Sequence, residues 1–283
     1  MRLGLTGSSG MLGSAIMSIS NLKRIRVEPI SRQDITNLND RDLCSKISNF
    51  DVIIHAAANT NVEQCESEVL ACYRDNTFLT SKILRASRAV SSKFVFISST
   101  GVYGNKKQTP YTEEDPANPT THHHKSKYIS ENKVLRDSSS LVIRTGWLFG
   151  GSSMNPKNFV ANRLKEAMNS DGIIYSNQTQ SGNPCFSLDI ASRILELVED
   201  NRSGLFNCVN SGFASRLEYV KAIIKYSGLP VKVLPVEAKE FTRLANVSPN
   251  ECAICNRSLT MGYSQLPSWK DSLFQYITRE LQP

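Results

Sequence analysis

A chain of 283 residues that is 40% hydrophobic and 21% charged has an ordinary globular composition, which excludes a peptide hormone, a disordered tail and a fibrous repeat. Its 33 basic against 26 acidic side chains give a formal charge of +7 and point toward anionic partners. The basic residues are dispersed, in runs no longer than pairs such as Lys23-Arg24 and Lys106-Lys107, so no nucleic-acid surface is expected. The opening Met1-Arg2-Leu3-Gly4 lacks secretory character and no stretch approaches the ~18 to 20 apolar residues of a membrane span, so the expected setting is cytoplasmic.

In chain order, short β-branched runs alternate with segments whose apolar residues recur every three or four positions. Strands are predicted at Leu3 to Thr6, Ile25 to Ile30, Val52 to His55, Phe94 to Ser98 and Leu141 to Thr145. Helices are predicted at Met11 to Ile19, Asp40 to Ile47, Glu68 to Ala89 and Lys125 to Leu135. The alternation predicts an α/β fold, a doubly wound parallel sheet of Rossmann type. After Gly150 the turn-rich Gly-Gly-Ser-Ser-Met-Asn-Pro opens a second, smaller α/β lobe. Asp189 to Val198 reads as a helix and Gly204 to Val209 as a strand returning to the sheet, while Leu217 to Tyr226 and Trp269 to Leu281 read as helices of the lobe. Residues 1–150, completed by about 186–210, would bind cofactor; 151–185 and 211–283 would bind substrate.

Directly after the first strand comes Gly7-Ser8-Ser9-Gly10-Met11-Leu12-Gly13. Glycines so spaced allow a tight turn, let backbone N–H groups reach a pyrophosphate and let the helix pack close to the sheet, with its positive dipole end toward the phosphates. The N–H groups of Gly7, Gly10, Met11 and Leu12 are the expected contacts. At the end of the second strand, Ser31-Arg32 suits the 2′-phosphate of NADP(H), which is preferred over NAD(H), and Asp34 is expected near the adenine edge.

Seven cysteines, at 44, 65, 72, 185, 208, 252 and 255, read as reduced thiols, and Cys252-Ala-Ile-Cys255 has no second pair to complete a zinc site. Nor do His122-His123-His124 suggest a metal, because neighbouring helical residues fan out by ~100° each. No metal is expected.

These features, with His55-Ala-Ala-Ala58, Asp75-Asn76-Thr77, Phe96-Ile-Ser-Ser-Thr-Gly-Val-Tyr-Gly104 and Arg144-Thr-Gly-Trp-Leu-Phe-Gly150, resemble the extended short-chain dehydrogenase/reductase superfamily, in its dTDP-4-dehydrorhamnose reductase branch. Asn158-Phe159-Val160, Gln180-Ser-Gly-Asn-Pro184 and Asp189-Ile-Ala191 continue the resemblance into the second lobe. It implies that Ser99 hydrogen-bonds a substrate carbonyl, Lys127 holds the nicotinamide ribose, and Ala56 and Ala57 lie along the cofactor. It implies substrate-side contacts for Asn158, Gln180 and Arg243, although the family's Arg-Pro is here Arg243-Leu244. A homodimer is compatible with it.

One position departs from the pattern. The family has a tyrosine four residues before the lysine, and here that residue is His123. Tyr128 follows Lys127 and points ~100° away around the helix, while the one literal YxxxK, Tyr103 to Lys107, falls in the loop after the fourth strand. An imidazole beginning near ~6.5 and facing an ammonium would be mostly neutral at pH 7 and a weak proton donor. The implied activity is NADPH-dependent reduction of a nucleotide-linked 4-keto-6-deoxysugar, with His123 supplying the proton at an acid-shifted optimum. Two alternatives stand beside it: nucleotide-sugar epimerisation or dehydration, and a catalytically silent NAD(P)-binding subunit similar to the β subunit of methionine adenosyltransferase.

Overall fold

A computed structural model describes residues 1–237 and 243–281. Five strands, β1 (Arg2–Thr6), β2 (Arg26–Ile30), β3 (Val52–His55), β4 (Lys93–Ser99) and β5 (Leu141–Thr145), join the edge strand Gly204–Asn207 in one sheet. The order is edge strand, β5, β4, β3, β1, β2, and every pairing is parallel. β3 and β5 are buried at every residue, which explains their continuous apolar runs.

Alternate side chains serve opposite faces. Leu3, Leu5, Val52, Ile54, Val95 and Ile97 pack toward α1 (Met11–Leu22) and the helix Ser187–Glu199. Ile53, Phe94, Phe96 and Val142 pack on the other side with α3 (Asp40–Ile47) and α6 (Leu79–Ala89). The chain leaves β1 for β2 on one side and returns to β3 on the other. Between the carboxyl ends of β1 and β3 the connections therefore diverge, and a crevice opens there.

The helices differ from expectation where side chains compete with apolar periodicity. α2 (Arg32–Asn37) and α4 (Val62–Ser67) are additional, each capped by a side chain, Ser31 and Asn61 respectively. The predicted helix Glu68 to Ala89 is divided into α5 (Val69–Tyr73), a π turn (Arg74–Phe78) and α6. At the widened turn Asp75, Asn76 and Thr77 are buried, and the Thr77 hydroxyl donates to the Ser126 carbonyl. α7 (His122–Val134) begins three residues before the predicted Lys125, because the Thr121 hydroxyl caps its first turn by accepting from His124 N–H. The His122 and His123 side chains thereby belong to a helix end.

Beyond β5, the helices Phe159–Met168, Arg216–Ser227 and Trp269–Tyr276 enclose a separate aromatic cluster that includes Phe149, Tyr219, Trp269 and Tyr276. A parallel ribbon pairs Ile173–Asn177 with Lys232–Val236 at its edge. The first of these helices and both ribbon strands were not anticipated from sequence, being short and only partly apolar.

Candidate active site

The crevice is lined by glycine because nothing larger fits. Gly7 has φ of +70°, and a Cβ there would stand 2.7 Å from the Ala57 nitrogen; a Cβ on Gly13 would run into the Gly7 carbonyl. The loops after β1 and β3 are thus in contact, and Ala57 N–H donates to the Thr6 hydroxyl at 3.2 Å. α1 has Gly10 as its N-cap, no side-chain cap and no acid in its first turn. The N–H groups of Met11 and Leu12 are left without a side-chain acceptor at the positive end of a twelve-residue helix. A dinucleotide pyrophosphate fits this cradle.

At the end of β2, Arg32 is exposed and bonds the nearly buried carboxylate of Asp75 at 2.6 Å, and Arg74 reaches the same oxygen at 3.0 Å. Two guanidiniums on one carboxylate leave an excess positive charge beside the crevice. Ser31 and Asp34 behave differently from the sequence expectation. They form a capping box for α2: the Ser31 hydroxyl accepts from Asp34 N–H at 3.0 Å, and the Asp34 carboxylate accepts from Ser31 N–H at 2.8 Å and pairs with Lys46 at 3.2 Å. Their polar atoms serve the helix end.

On the opposite wall, Ser99 ends β4, and its hydroxyl oxygen accepts from Gly101 N–H at 3.2 Å, which leaves the hydroxyl proton free for another acceptor. Lys127 lies on α7 one turn below His123, 4% exposed, with its ammonium 4.2 Å from the centre of the Phe96 ring. Burial, opposed by the Glu131 carboxylate, lowers its pKa to about 7. Glu131 in turn forms a buried bidentate pair with Arg144 of β5, which ties α7 to the sheet.

His123 is 6% exposed, and its Nδ1 lies 2.9 Å from the Asn59 carbonyl. A carbonyl can only accept, so this contact favours the proton on Nδ1 and the lone pair on Nε2; the Asn76 amide nitrogen, a donor, lies farther from the same atom, at 3.5 Å. Burial, then the charges of His124 and Lys127, hold His123 well below the usual histidine range. With its Nδ1 proton directed to the Asn59 carbonyl, a neutral His123 has no N–H with which to orient a substrate carbonyl. His124 packs its ring onto Gly101, where any side chain would collide with it, and burial lowers its pKa to about 4. His122 is at the helix end, its backbone N–H bonded to the Glu66 carboxylate at 2.6 Å.

The second-lobe residues divide. Asn158 is fully enclosed: it caps the helix Phe159–Met168 by accepting from Ala161 N–H, and its amide donates to the Gly150 and Ser152 carbonyls and to the Tyr276 hydroxyl. Its polar atoms are all used inside the lobe. Gln180 is buried, with its side-chain oxygen 3.4 Å from Arg216 Nε. Arg243 is exposed and lies 3.9 Å from Glu63. Sequence reasoning missed the centre of this group, where the Arg216 guanidinium stacks at 3.4 Å on Trp147, whose indole N–H donates to Glu251 at 3.0 Å. Trp147 adopts a left-handed backbone, φ +45°, a conformation rare for a bulky side chain.

The chain matches the family model described as the RmlD substrate binding domain over residues 1–282. The chain belongs to that family. Among curated relatives, it is 27% identical to the spore coat polysaccharide biosynthesis protein SpsK of Bacillus subtilis over 96% of this chain and 95% of that one. It is 28% identical to the dTDP-4-dehydrorhamnose reductase of Mycolicibacterium smegmatis, over 96% of this chain and 84% of that one. Among solved structures, the dTDP-4-dehydrorhamnose reductase of Bacillus anthracis in complex with NADP superposes with a TM-score of 0.91 at 27% identity, covering 98% of both chains. The six-stranded parallel sheet expected from sequence is thus shared with these reductase structures. Asn59, Arg74, Asn76, Trp147 and Arg216 join the candidate residues here, and only Asn76 and Trp147 fell within motifs read from sequence.

Proposed function

We propose that the protein is an NADPH-dependent reductase of a dTDP-linked 4-keto-6-deoxysugar, acting in the cytoplasm in the synthesis of a surface polysaccharide. What supports the reading is the glycine-lined crevice at the β1/β3 reversal, together with Ser99 at the end of β4 and His123 and Lys127 one turn apart on α7. The cofactor, when bound, supplies a hydride to C4 of the sugar. The backbone N–H groups of Met11 and Leu12 hold its pyrophosphate, the Gly10 N–H being used by the Gly7 carbonyl at 2.9 Å, Ala56 and Ala57 line its path, and Arg32 with Arg74 favours a 2′-phosphate over a bare ribose.

Lys127 binds the nicotinamide ribose. The Ser99 hydroxyl hydrogen-bonds the C4 carbonyl oxygen as negative charge builds there and keeps its proton, while His123 delivers the one proton that oxygen receives, from Nε2. Because the neutral ring has no proton on Nε2, delivery requires the imidazolium, and the rate rises as pH falls. In the second lobe, Arg163 and Arg243 are close enough to Arg216 to help burial lower its pKa to about 10. Such a concentration of guanidiniums suits the diphosphate of a nucleotide sugar, with Gln180 orienting Arg216. A homodimer is part of the proposal, with the exposed apolar side chains of Leu70 and Phe78 as the surface for it.

The test is NADPH oxidation with a panel of nucleotide 4-keto-sugars between about pH 5.5 and 8. Consumption of one NADPH per sugar, faster at the acid end, is expected; an epimerase or dehydratase would consume none. A silent NAD(P)-binding subunit is favoured by one observation, the neutral and committed imidazole of His123. It would quench NADPH fluorescence on binding yet turn over no sugar.

A further inference from the structure

Asn76 occupies the middle of the π turn between α5 and α6, is 1% exposed, and has every polar atom engaged. Its side-chain oxygen accepts from Asn59 N–H at 2.7 Å, and its amide nitrogen donates back to the Asn59 carbonyl at 3.1 Å and to the Ser126 hydroxyl at 3.1 Å. Ser126 passes its own proton to the His123 carbonyl at 2.6 Å. The Asn76 carbonyl accepts from the hydroxyls of Thr80 and Ser130, both at 2.8 Å. Asn59 is thus gripped at both its N–H and its C=O, and the same C=O faces His123 Nδ1 at 2.9 Å.

A second chain of bonds reaches this grip from the cofactor side. Thr6 accepts from Ala57 N–H and donates to His55 Nδ1 at 2.7 Å; His55 Nε2 donates to Thr80 at 2.9 Å; Thr80 donates to the Asn76 carbonyl. Each hydroxyl gives one proton and receives one, so the direction of every bond in the series is determined.

We propose that the Asn59–Asn76 pair is a positioning device that holds His123 as its Nδ1–H tautomer, making Nε2 the atom that exchanges a proton with the substrate oxygen. The carbonyl takes the part that a carboxylate plays behind a catalytic histidine: it orients the ring and stabilises the Nδ1 proton of the imidazolium without itself being protonated. A neutral carbonyl does this more weakly than a carboxylate. The charged and titratable groups around His123 are His124 and Lys127 on α7 and Lys157 from the second lobe. Cys65 and Cys72 touch the two asparagines, with Cys65 Sγ 3.9 Å from the Asn59 carbonyl and Cys72 Sγ 3.6 Å from the Asn76 amide. No carboxylate contacts the ring among the described residues, so the Asn59 carbonyl is the group that favours its protonation.

This deepens the reductase reading and rests on it. The chain has only four histidines, so a nitrogen-15 spectrum of the histidine-labelled protein at pH 7 contains four ring systems, and the His123→Gln variant identifies the one of interest. The wild-type ring is expected to carry its proton on Nδ1 with Nε2 bare, and Asn76→Leu is expected to populate the Nε2–H form. In steady-state turnover, Asn76→Leu should move the alkaline limb of the pH profile, where the imidazolium loses its proton, about one unit lower and slow turnover at pH 7 about tenfold, with KM for the sugar nearly unchanged. A wild-type proton on Nε2 overturns the proposal, even where the variant fails to fold. So does a folded Asn76→Leu protein with the wild-type tautomer and pH profile. No NADPH consumption by the wild type with any 4-keto nucleotide sugar would overturn the reductase reading, and a positioning role with it, while the spectrum would still decide the tautomer.

Discussion

His123 stands where the family resemblance leads one to expect a phenol, and the two groups fail and succeed in opposite pH ranges. A tyrosine starting at ~10 keeps its proton at neutral pH even with an ammonium beside it, whereas the buried imidazole has already lost the one it would give. His123→Tyr should therefore speed turnover at pH 7.5 and move the optimum upward; an unchanged rate and pH profile would remove residue 123 from the mechanism. Arg32 carries the parallel argument for the cofactor. Its guanidinium bonds Asp75 but is more than half exposed, so it can turn to a 2′-phosphate while Arg74 keeps the carboxylate. Arg32→Ala should weaken NADPH binding about tenfold, roughly the effect of 1.4 kcal/mol, and leave NADH binding nearly unchanged. Fluorescence titration with the two cofactors measures this.

Two elements position the site. The first is the turn from β1 into α1, where a side chain on Gly13 would collide with the Gly7 carbonyl. The second is the attachment of α7 to β5 by the enclosed Glu131–Arg144 pair. Glu131→Gln leaves a buried guanidinium uncompensated and should cost about 3 to 5 kcal/mol in a denaturant titration. A loss under about 1 kcal/mol would mean that the pair does not hold the helix. The same substitution removes the charge that supports the Lys127 ammonium. What could be read from sequence follows the same division. β3, β5 and α3 were predicted to the residue, because a buried parallel strand and an amphipathic helix each leave a local pattern. The glycine crevice was legible for the same reason. The division of Glu68 to Ala89, the capping box that consumes Ser31 and Asp34, and the hold of Asn59 on His123 were not. Periodicity does not report a π turn, and the His123 contact joins positions 64 apart through a backbone atom that has no signature in the residue type.

At the scale of the whole molecule, acid favours the chemistry and opposes the fold. Burial, then the charge of Lys127, holds His55 at about 3 and His124 at about 4, and burial also keeps His123 neutral. In the unfolded chain these rings titrate near ~6.5, so between there and about pH 4 the unfolded state binds more protons. Stability is present above the unfolded value and is lost as pH falls through this window, by up to about 1.4 kcal/mol per pH unit for each histidine. Lys127, lowered to about 7, has the same sign at higher pH, its share of stability growing as pH rises above 7. Urea midpoints should accordingly be lower at pH 5 than at pH 7; equal midpoints would mean that the histidines are protonated within the fold. The +7 of the whole chain also has a local meaning, since Arg32 and Arg74 stand at one end of the crevice and Arg163, Arg216 and Arg243 gather beyond Trp147. That distribution fits two diphosphates better than a polymer.

Net hydride transfer to the sugar can be followed with deuterium. With NADPH deuterated at the transferable position and a dTDP-4-keto-6-deoxysugar, the protein is expected to place one deuterium at C4 of the product for each NADP formed, faster near pH 6 than near pH 8. Product without deuterium at C4, or a cofactor left unoxidised after the sugar has reacted, would mean that the protein does not reduce C4 with NADPH.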